Sequence, residues 1–216
     1  MKSVLISIQP KWVEKITSGE KTIEVRKSKP KLDTPFKCYI YCTNSGGTLH
    51  TAYNGLYYHK SYVGKSDFSC INGKVIGEFV CDKIYKFAGR WFGDYTRPFG
   101  TEAMILRESC LTLDELTNYL SLKDGYGWHI SNLKIYDKPK ELSEFIKPFK
   151  YDGDGLRCCT KEELEDIYEW DCETLFKNKY PNFDFENCKC EDCPKAKDFY
   201  RLKLAPQSWC YVGSGV

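Results

Sequence analysis

The chain has 216 residues, of which 42% are hydrophobic and 29% charged, a composition that excludes a disordered chain and a coiled coil. It has no run of about 18 apolar residues and no long apolar core near its start, so we expect a cytoplasmic protein with no membrane partner. Residues 151–197 carry 13 acidic and seven basic side chains, so the net charge of +2 leaves +8 on the rest. A basic body favours a nucleic-acid or nucleotide partner.

The first predicted elements follow from the spacing of apolar residues. Residues 3–8 form an apolar run that is typical of a buried strand. Pro10 begins a predicted helix over residues 10–18, with apolar side chains at helical spacing and Gly19 at the position of a C-terminal cap. Residues 22–26 alternate between polar and apolar side chains, which predicts a half-buried strand.

Two strands and two long connections are predicted in the middle of the chain. Residues 36–43 and 74–87 are rich in aromatic and β-branched side chains, which favours strands. Residues 44–73 between them show no clear period and predict a long irregular loop. Residues 88–108 predict a second loop, in which arginines and aromatic residues are interleaved. That pattern fits either contact with single-stranded nucleic acid or rings that fold back onto the body.

The second half of the chain continues with short elements. A capping box of the Thr-x-x-Glu type opens a predicted helix over residues 112–120. Residues 126–136 predict a strand, and residues 141–146 a short helical piece. Two further strands are predicted over residues 199–204 and 208–212.

These elements predict an α+β fold built on a small, mostly antiparallel β-barrel, because closing a sheet removes its exposed edges. We expect the barrel over residues 1–150, an acidic, Cys-rich insertion over residues 151–197, and the closing strands of the barrel over residues 198–216. Without an export signal, most of the 12 cysteines are expected to be reduced thiols.

The strongest local signal for a site lies in residues 19–26. Lys21 follows the predicted helix end at Gly19, and Glu24 and Arg26 project from one face of the next strand. Two cations flanking a carboxylate can bind phosphate or carbonyl groups, while the carboxylate orients a donor or moves a proton. The same alternation also fits a solvated strand face, and the spacing leaves both interpretations open.

The stretch SIQPKWVEKITSGEKTIEVRK, residues 7–27, resembles the opening of an ASCH domain, the activating-signal-cointegrator homology family within the PUA-like barrels. That family is marked by a strand, a helix and then Gly-x-Lys-x-x-Glu-x-Arg. Gly19, Lys21, Glu24 and Arg26 match the four marked positions.

Later stretches resemble the same family, in particular its small phage-borne or prophage-borne members. They are KVIGEFVCDKI, YGWHISNLKIYDKPKEL and PQSWCYV. The resemblance covers roughly residues 1–150 and 198–212 and leaves out the Cys-rich segment.

The resemblance implies a barrel with a cleft at the motif that binds RNA, nucleotides or modified nucleosides. Some members are similar to amidohydrolases that deacylate N4-acylated cytidine with a lysine, a threonine and a glutamate, and others cleave RNA. Lys21 matches the amidohydrolase lysine, whereas Glu24 stands where that subgroup has threonine. A small hydrolase that uses Lys21 and Glu24 is therefore the alternative function, and a protein-interaction adaptor acting through the acidic insertion is a second one.

Trp128 and His129 are predicted to be ligand-binding neighbours of Lys21, Glu24 and Arg26. Trp128 offers a ring for stacking on a base, and His129 offers a donor or a group for proton transfer. The alternatives are a core tryptophan and a histidine that is hydrogen-bonded at the rim of the barrel.

Cys188, Cys190 and Cys193 offer three thiolates within six residues, which predicts a structural zinc site. The fourth ligand would come from another cysteine: Cys158, Cys159, Cys172 or Cys210. A metal would supply folding energy to a segment with little apolar content. An acidic loop with free thiols is the alternative, and a disulfide is the third possibility.

Overall fold

The computed structural model of the protein describes residues 3–53, 55–60, 69–88, 100–121, 123–145, 202 and 204–212. In chain order, the elements within these residues are β1 (Ser3–Ile8), α1 (Pro10–Thr17), β2 (Ile23–Arg26), β3 (Phe36–Cys42), β4 (Thr48–Ala52), β5 (Gly55–His59), β6 (Val75–Cys81), β7 (Ile84–Phe87), α2 (Thr101–Ser109), α3 (Leu113–Leu120), β8 (Gly125–His129), β9 (Ser131–Lys140), a 3₁₀-helix (Leu142–Glu144) and β10 (Trp209–Val212).

The described strands form three sheets, and none of them closes on itself. The largest has five strands in the order β10-β1-β3-β6-β9, with β1 and β3 parallel and the other neighbours antiparallel. A second, antiparallel sheet has the order β2-β8-β7, and β4 and β5 form a hairpin. The α+β class is confirmed, whereas the predicted closed barrel is wrong for the described strands.

Two corners, at which the backbone passes from one sheet to the other, are not marked by the sequence pattern. The predicted strand over residues 74–87 breaks after Cys81, so that β6 and β7 belong to different sheets. The predicted strand over residues 126–136 breaks at Ile130 in the same way, between β8 and β9. The two corners lie together, since the His129 amide donates to the Lys83 carbonyl at 2.9 Å. The β6–β7 and β8–β9 stretches thus pass between the five-stranded and the three-stranded sheet at the same point, and neither sheet closes on itself within the described residues.

The central strands of the five-stranded sheet, β1, β3 and β6, are buried on both faces. Along β1, Val4, Ile6 and Ile8 pack into the main core with α1, whereas Leu5 faces a second cluster that contains Phe145. Because successive side chains of a strand point to opposite faces, burial on both sides accounts for the uninterrupted apolar run of β1. A third cluster joins α2 and α3 to the sheet that contains β2.

Three elements, β4, β5 and α2, occur where loops are predicted. The hairpin of β4 and β5 lies within the predicted loop over residues 44–73, and α2 occupies the end of the loop predicted over residues 88–108. The Gly100 position before α2 provides no side-chain cap, so the start of this helix has no local signal. None of the helices in the described ranges is long and apolar enough to cross a lipid bilayer.

Phe145 and Leu202 meet in the core although 56 residues separate them in sequence. The Leu202 amide donates to the Phe145 carbonyl at 2.8 Å, and both side chains are buried in the cluster around Leu5. The described residues on either side of residues 146–201 are therefore adjacent in the core. The predicted insertion over residues 151–197 lies outside the described residues, as does most of the strand predicted over residues 199–204.

Candidate functional site

A tight turn between α1 and β2 delivers the motif side chains. The helix ends with the Ser18 amide donating to the Glu14 carbonyl, and Gly19 then adopts a φ of +80°, a left-handed conformation that glycine accepts without steric cost. The Lys21 amide donates back to the Lys15 carbonyl at 2.9 Å. The turn is therefore held to the last turn of the helix, and Lys21 has a defined position at the start of β2.

Lys21, Glu24 and Arg26 form a buried ion triad. The Glu24 carboxylate lies 3.2 Å from Lys21 Nζ through one oxygen and 2.9 Å from an Arg26 nitrogen through the other. The exposed fractions of the three side chains are only 2%, 8% and 8%. With two cations and one anion, the triad carries a net charge of +1.

Backbone acceptors complete the surroundings of Lys21. Its ammonium donates to the Ile23 carbonyl at 2.8 Å and to the Ser109 carbonyl at 2.9 Å, in addition to the ion pair with Glu24. These three acceptors use the three N–H bonds of the ammonium. Burial lowers the pKa of Lys21 from its ordinary value, and the Glu24 carboxylate opposes that shift.

Arg26 connects the motif to both ends of the described chain. One terminal nitrogen of its guanidinium donates to the Ser7 carbonyl at 2.6 Å, and the other lies 3.3 Å from Ser208 Oγ. Ser7 in turn holds the residues before β10, because its hydroxyl donates to the Pro206 carbonyl at 2.6 Å and its amide donates to the Ser208 carbonyl at 2.8 Å. Arg26 therefore positions the Ser208 segment beside the triad.

The triad lies at the bottom of an open cleft of about 560 Å³. Trp12 of α1 and Tyr119 of α3 contribute aromatic rings to its walls. Three exposed amide side chains, Gln9, Asn118 and Gln207, add hydrogen-bond donors and acceptors. A volume of this size is typical of sites for small molecules and cofactors.

The predicted site residues fall into two groups. Lys21, Glu24 and Arg26 all line the cleft. Trp128 does not line it, since its ring is fully buried in the main core with centroids 5.9 Å from Phe36 and 5.8 Å from Trp209.

His129 also lies away from the cleft lining, at the corner between the two sheets. Its Nδ1 is 2.6 Å from an Asp82 oxygen, and this hydrogen bond lowers the pKa of the Asp82 carboxyl. The structure therefore places His129 in a partly exposed hydrogen bond with Asp82 rather than among the residues that line the cleft.

The two aromatic residues in the walls of the cleft, Trp12 and Tyr119, are not identified from the sequence. Trp12 is one of the apolar side chains at helical spacing in the first predicted helix, yet it is only half-buried and its ring centroid lies 5.3 Å from Lys21 Nζ. Tyr119 is 38% exposed, whereas Leu116 and Leu120 of the same helix are fully buried. An aromatic residue off the buried stripe of a helix is the signal that could have identified Tyr119.

The predicted zinc ligands Cys188, Cys190 and Cys193 lie outside the described residues, so zinc binding stays a prediction. Within the described ranges, no group of three or more His, Cys, Asp or Glu side chains is placed to hold a metal ion.

Comparison with known proteins gives distant structural matches. No protein-family model matches the sequence, and no curated protein matches it. Crystal structures of two point-mutant forms of the ASCH protein from Zymomonas mobilis are similar to this chain, each with a TM-score of 0.43. The first is 17% identical and covers 65% of this chain and 74% of its own. The second is 16% identical and covers 66% of this chain and 77% of its own. A structure of ASCH from the same organism has a TM-score of 0.38 at 16% identity, covering 82% of this chain and 94% of its own. These matches are distant structural similarities, and nothing about activity is carried over from them.

Proposed function

We propose that this protein binds RNA or a modified nucleotide by taking one base into the cleft above the Lys21–Glu24–Arg26 triad. The observation that carries this proposal is the buried triad with its net charge of +1 at the bottom of an open cleft. A fixed positive site in a concave, partly apolar pocket attracts an anionic or carbonyl-bearing ligand more strongly than the same charges would in water.

The walls of the cleft suit a nucleobase. Trp12 and Tyr119 offer faces on which a base can stack, and stacking of this kind accepts any base. Gln9, Asn118 and Gln207 offer amide groups that can pair with the polar edge of a base. The charge of +8 outside residues 151–197 favours the approach of a phosphate backbone.

Binding is better supported than hydrolysis by Lys21 and Glu24. In the described structure each oxygen of Glu24 is engaged by a cation, and the three N–H bonds of Lys21 have three acceptors. A general base or nucleophile must reach the reacting atoms of its substrate, and these contacts direct both groups towards each other and towards the turn. Both groups are instead engaged in holding the turn together.

Binding measurements on Tyr119 variants test the proposal without removing a buried charge. Short single-stranded RNAs and a panel of modified nucleosides would be titrated against the wild type, Tyr119→Ala and Tyr119→Phe. We expect Tyr119→Ala to weaken binding about tenfold, because one stacking face is lost, and Tyr119→Phe to weaken it less, because the ring stays and only the hydroxyl that hydrogen-bonds Arg26 is removed. Tyr85→Ala, on the half-buried face of β7, is the control. The absence of binding to every member of the panel would refute the proposal.

Incubation with an N4-acylated cytidine and with single-stranded RNA separates binding from hydrolysis. We expect the wild type to bind without forming product. Product formation that Glu24→Gln abolishes would instead support the hydrolase.

A further inference from the structure

The β4–β5 hairpin begins at the rim of the cleft. Thr43 and Ser45, just before β4, line the cleft, and the neighbouring Gly46 carbonyl accepts a hydrogen bond from the Tyr58 hydroxyl at 2.8 Å. The Tyr58 amide donates to a Glu14 carboxylate oxygen of α1 at 2.9 Å. The hairpin is thus anchored to the same helix that supplies Trp12 to the cleft.

One face of this hairpin is packed and the other presents rings. Leu56 and Tyr58 of β5 pack against the main core, so the alternating residues Tyr57 and His59 lie on the opposite face. His50 of β4 stands directly across from Tyr57 in the register and shares that face. Tyr57 is 56% exposed.

A second exposed ring lies at the turn of the hairpin, where Tyr53 is fully exposed. Tyr57 lies two residues beyond Gly55, about 7 Å along β5 from the turn, so the rings of Tyr53 and Tyr57 follow one another along the hairpin. Large aromatic side chains left in water on a strand pair are typical of surfaces on which unstacked bases lie.

The charge of residues 43–60, which include the hairpin, is compatible with binding of a polyanion. Residues 43–60 contain no aspartate or glutamate, and Lys60 is their only fully charged side chain. A phosphate backbone that passes along the hairpin would therefore meet no like charge from this segment.

We propose that the β4–β5 hairpin is a second binding surface, on which bases of a single-stranded RNA stack on Tyr57 and Tyr53 while a neighbouring base occupies the cleft. This inference rests on the proposed function and extends its ligand from one nucleotide to a strand. The continuity of the hairpin with the cleft rim, its exposed rings and its lack of acidic residues carry it.

The test compares a long ligand with a short one. A fluorescent RNA octamer of mixed sequence and the four ribonucleoside monophosphates would be titrated against the wild type, Tyr57→Ala, Tyr53→Ala and Tyr57→Phe. We expect each alanine variant to weaken octamer binding about tenfold and to leave monophosphate binding unchanged, because only the longer ligand reaches the hairpin. Tyr57→Phe keeps the ring and should bind the octamer as the wild type does.

The control is again Tyr85→Ala, which removes a tyrosine from a different sheet. Octamer binding that is unchanged in both Tyr57→Ala and Tyr53→Ala would overturn the hairpin surface and leave the cleft proposal intact. Failure of the wild type to bind either ligand would overturn the cleft proposal and this one with it. Circular dichroism checks that the variants are folded, and the full exposure of Tyr53 makes its variant the safer of the two.

Discussion

A buried charge is tolerated in a protein only when partners compensate for the water it has lost. Glu24 meets this requirement with one cation at each oxygen, and Lys21 meets it with two carbonyls and a carboxylate. The three residues therefore depend on one another. Removing any one of them leaves a charge or a carbonyl without its partner. We therefore expect such a substitution to lower the free energy of unfolding even when no ligand is present.

Substitution of Lys21 tests this dependence. We expect Lys21→Met to lower the free energy of unfolding by about 3–5 kcal/mol, since Glu24 loses a cation while staying buried. Urea denaturation measures the change. Lys15→Met is the control, because Lys15 pairs with Glu20 at the surface and its loss should cost less than about 1 kcal/mol. Equal effects of the two substitutions would contradict the interdependence of the triad.

Three buried thiols make stability sensitive to alkaline pH, since burial also raises the pKa of Cys38 well above its ordinary value. Burial raises the pKa of Cys42 and of Cys81 to about 12 in the folded protein, against an ordinary value of 9.0. Because the unfolded thiols ionise first, the stabilisation is complete below pH 9 and is lost as the pH rises from 9 towards 12.

Thermal unfolding at a series of pH values measures this effect. We expect the wild type to lose stability more steeply between pH 9 and pH 11 than the double variant Cys42→Ala, Cys81→Ala. Parallel pH profiles for the two proteins would show that these thiols do not ionise on unfolding. Iodoacetamide at pH 8 should leave both thiols of the folded wild type unmodified, since the thiolate is the reactive form.

Among the elements, the helix α3 has a complete N-terminal capping box and also contributes side chains to the cleft. Thr112 and Glu115 form a reciprocal capping box, and Glu115 also lies 3.2 Å from Lys11 of α1. Asn118 and Tyr119 at the other end of the helix line the cleft. The helix therefore fixes one wall of the site.

Loss of the cap should weaken both the helix and the site. We expect Thr112→Ala to lower the free energy of unfolding by about 1 kcal/mol and Thr112→Ser to preserve it, because only the hydroxyl acts as the cap. Denaturant titration measures stability, and the RNA titration with the same variants measures the cleft. An alanine variant as stable as the wild type would show that tertiary packing alone holds the start of α3.

The elements with local signals could be predicted from the sequence, and those set by distant partners could not. A proline at its start and a glycine just beyond its end mark α1, and a capping box marks α3. The corners after Cys81 and at Ile130 lie within stretches of uniform strand character. There the change of sheet depends on which strand lies alongside, and a local pattern does not contain that information.

The same reasoning applies to the site. Lys21, Glu24 and Arg26 could be singled out because a turn and one strand bring them together locally. The aromatic walls could not, because Trp12 and Tyr119 belong to two helices far apart in the sequence that line the same cleft only in the folded chain. Trp128 was assigned to the site on its residue type, whereas its burial between Phe36 and Trp209 makes it part of the core.

At the scale of the whole molecule, the contact between Phe145 and Leu202 predicts that the intervening segment can be removed. We expect replacement of residues 151–197 by a short Gly/Ser linker to leave the melting temperature and RNA affinity close to those of the wild type, since the two junction residues already lie together. Loss of folding on this replacement would show that the segment is part of the body.

The same replacement tests the zinc prediction. We expect elemental analysis to find about one zinc per wild-type chain and none after the replacement, because Cys188, Cys190 and Cys193 leave with the segment. A wild-type protein purified without chelators that contains no zinc would contradict the prediction.

The pairing of β1 with β10 has a consequence for synthesis of the chain. Arg26 and Ser208 are separated by 182 positions, and Ser7 and Pro206 by 199, yet hydrogen bonds join each pair beside the cleft. The growing polypeptide must therefore carry an unpaired apolar edge on its first strand throughout most of translation. Nascent chains that stop short of β10 should be the forms that need chaperones and that cannot yet recognise a ligand.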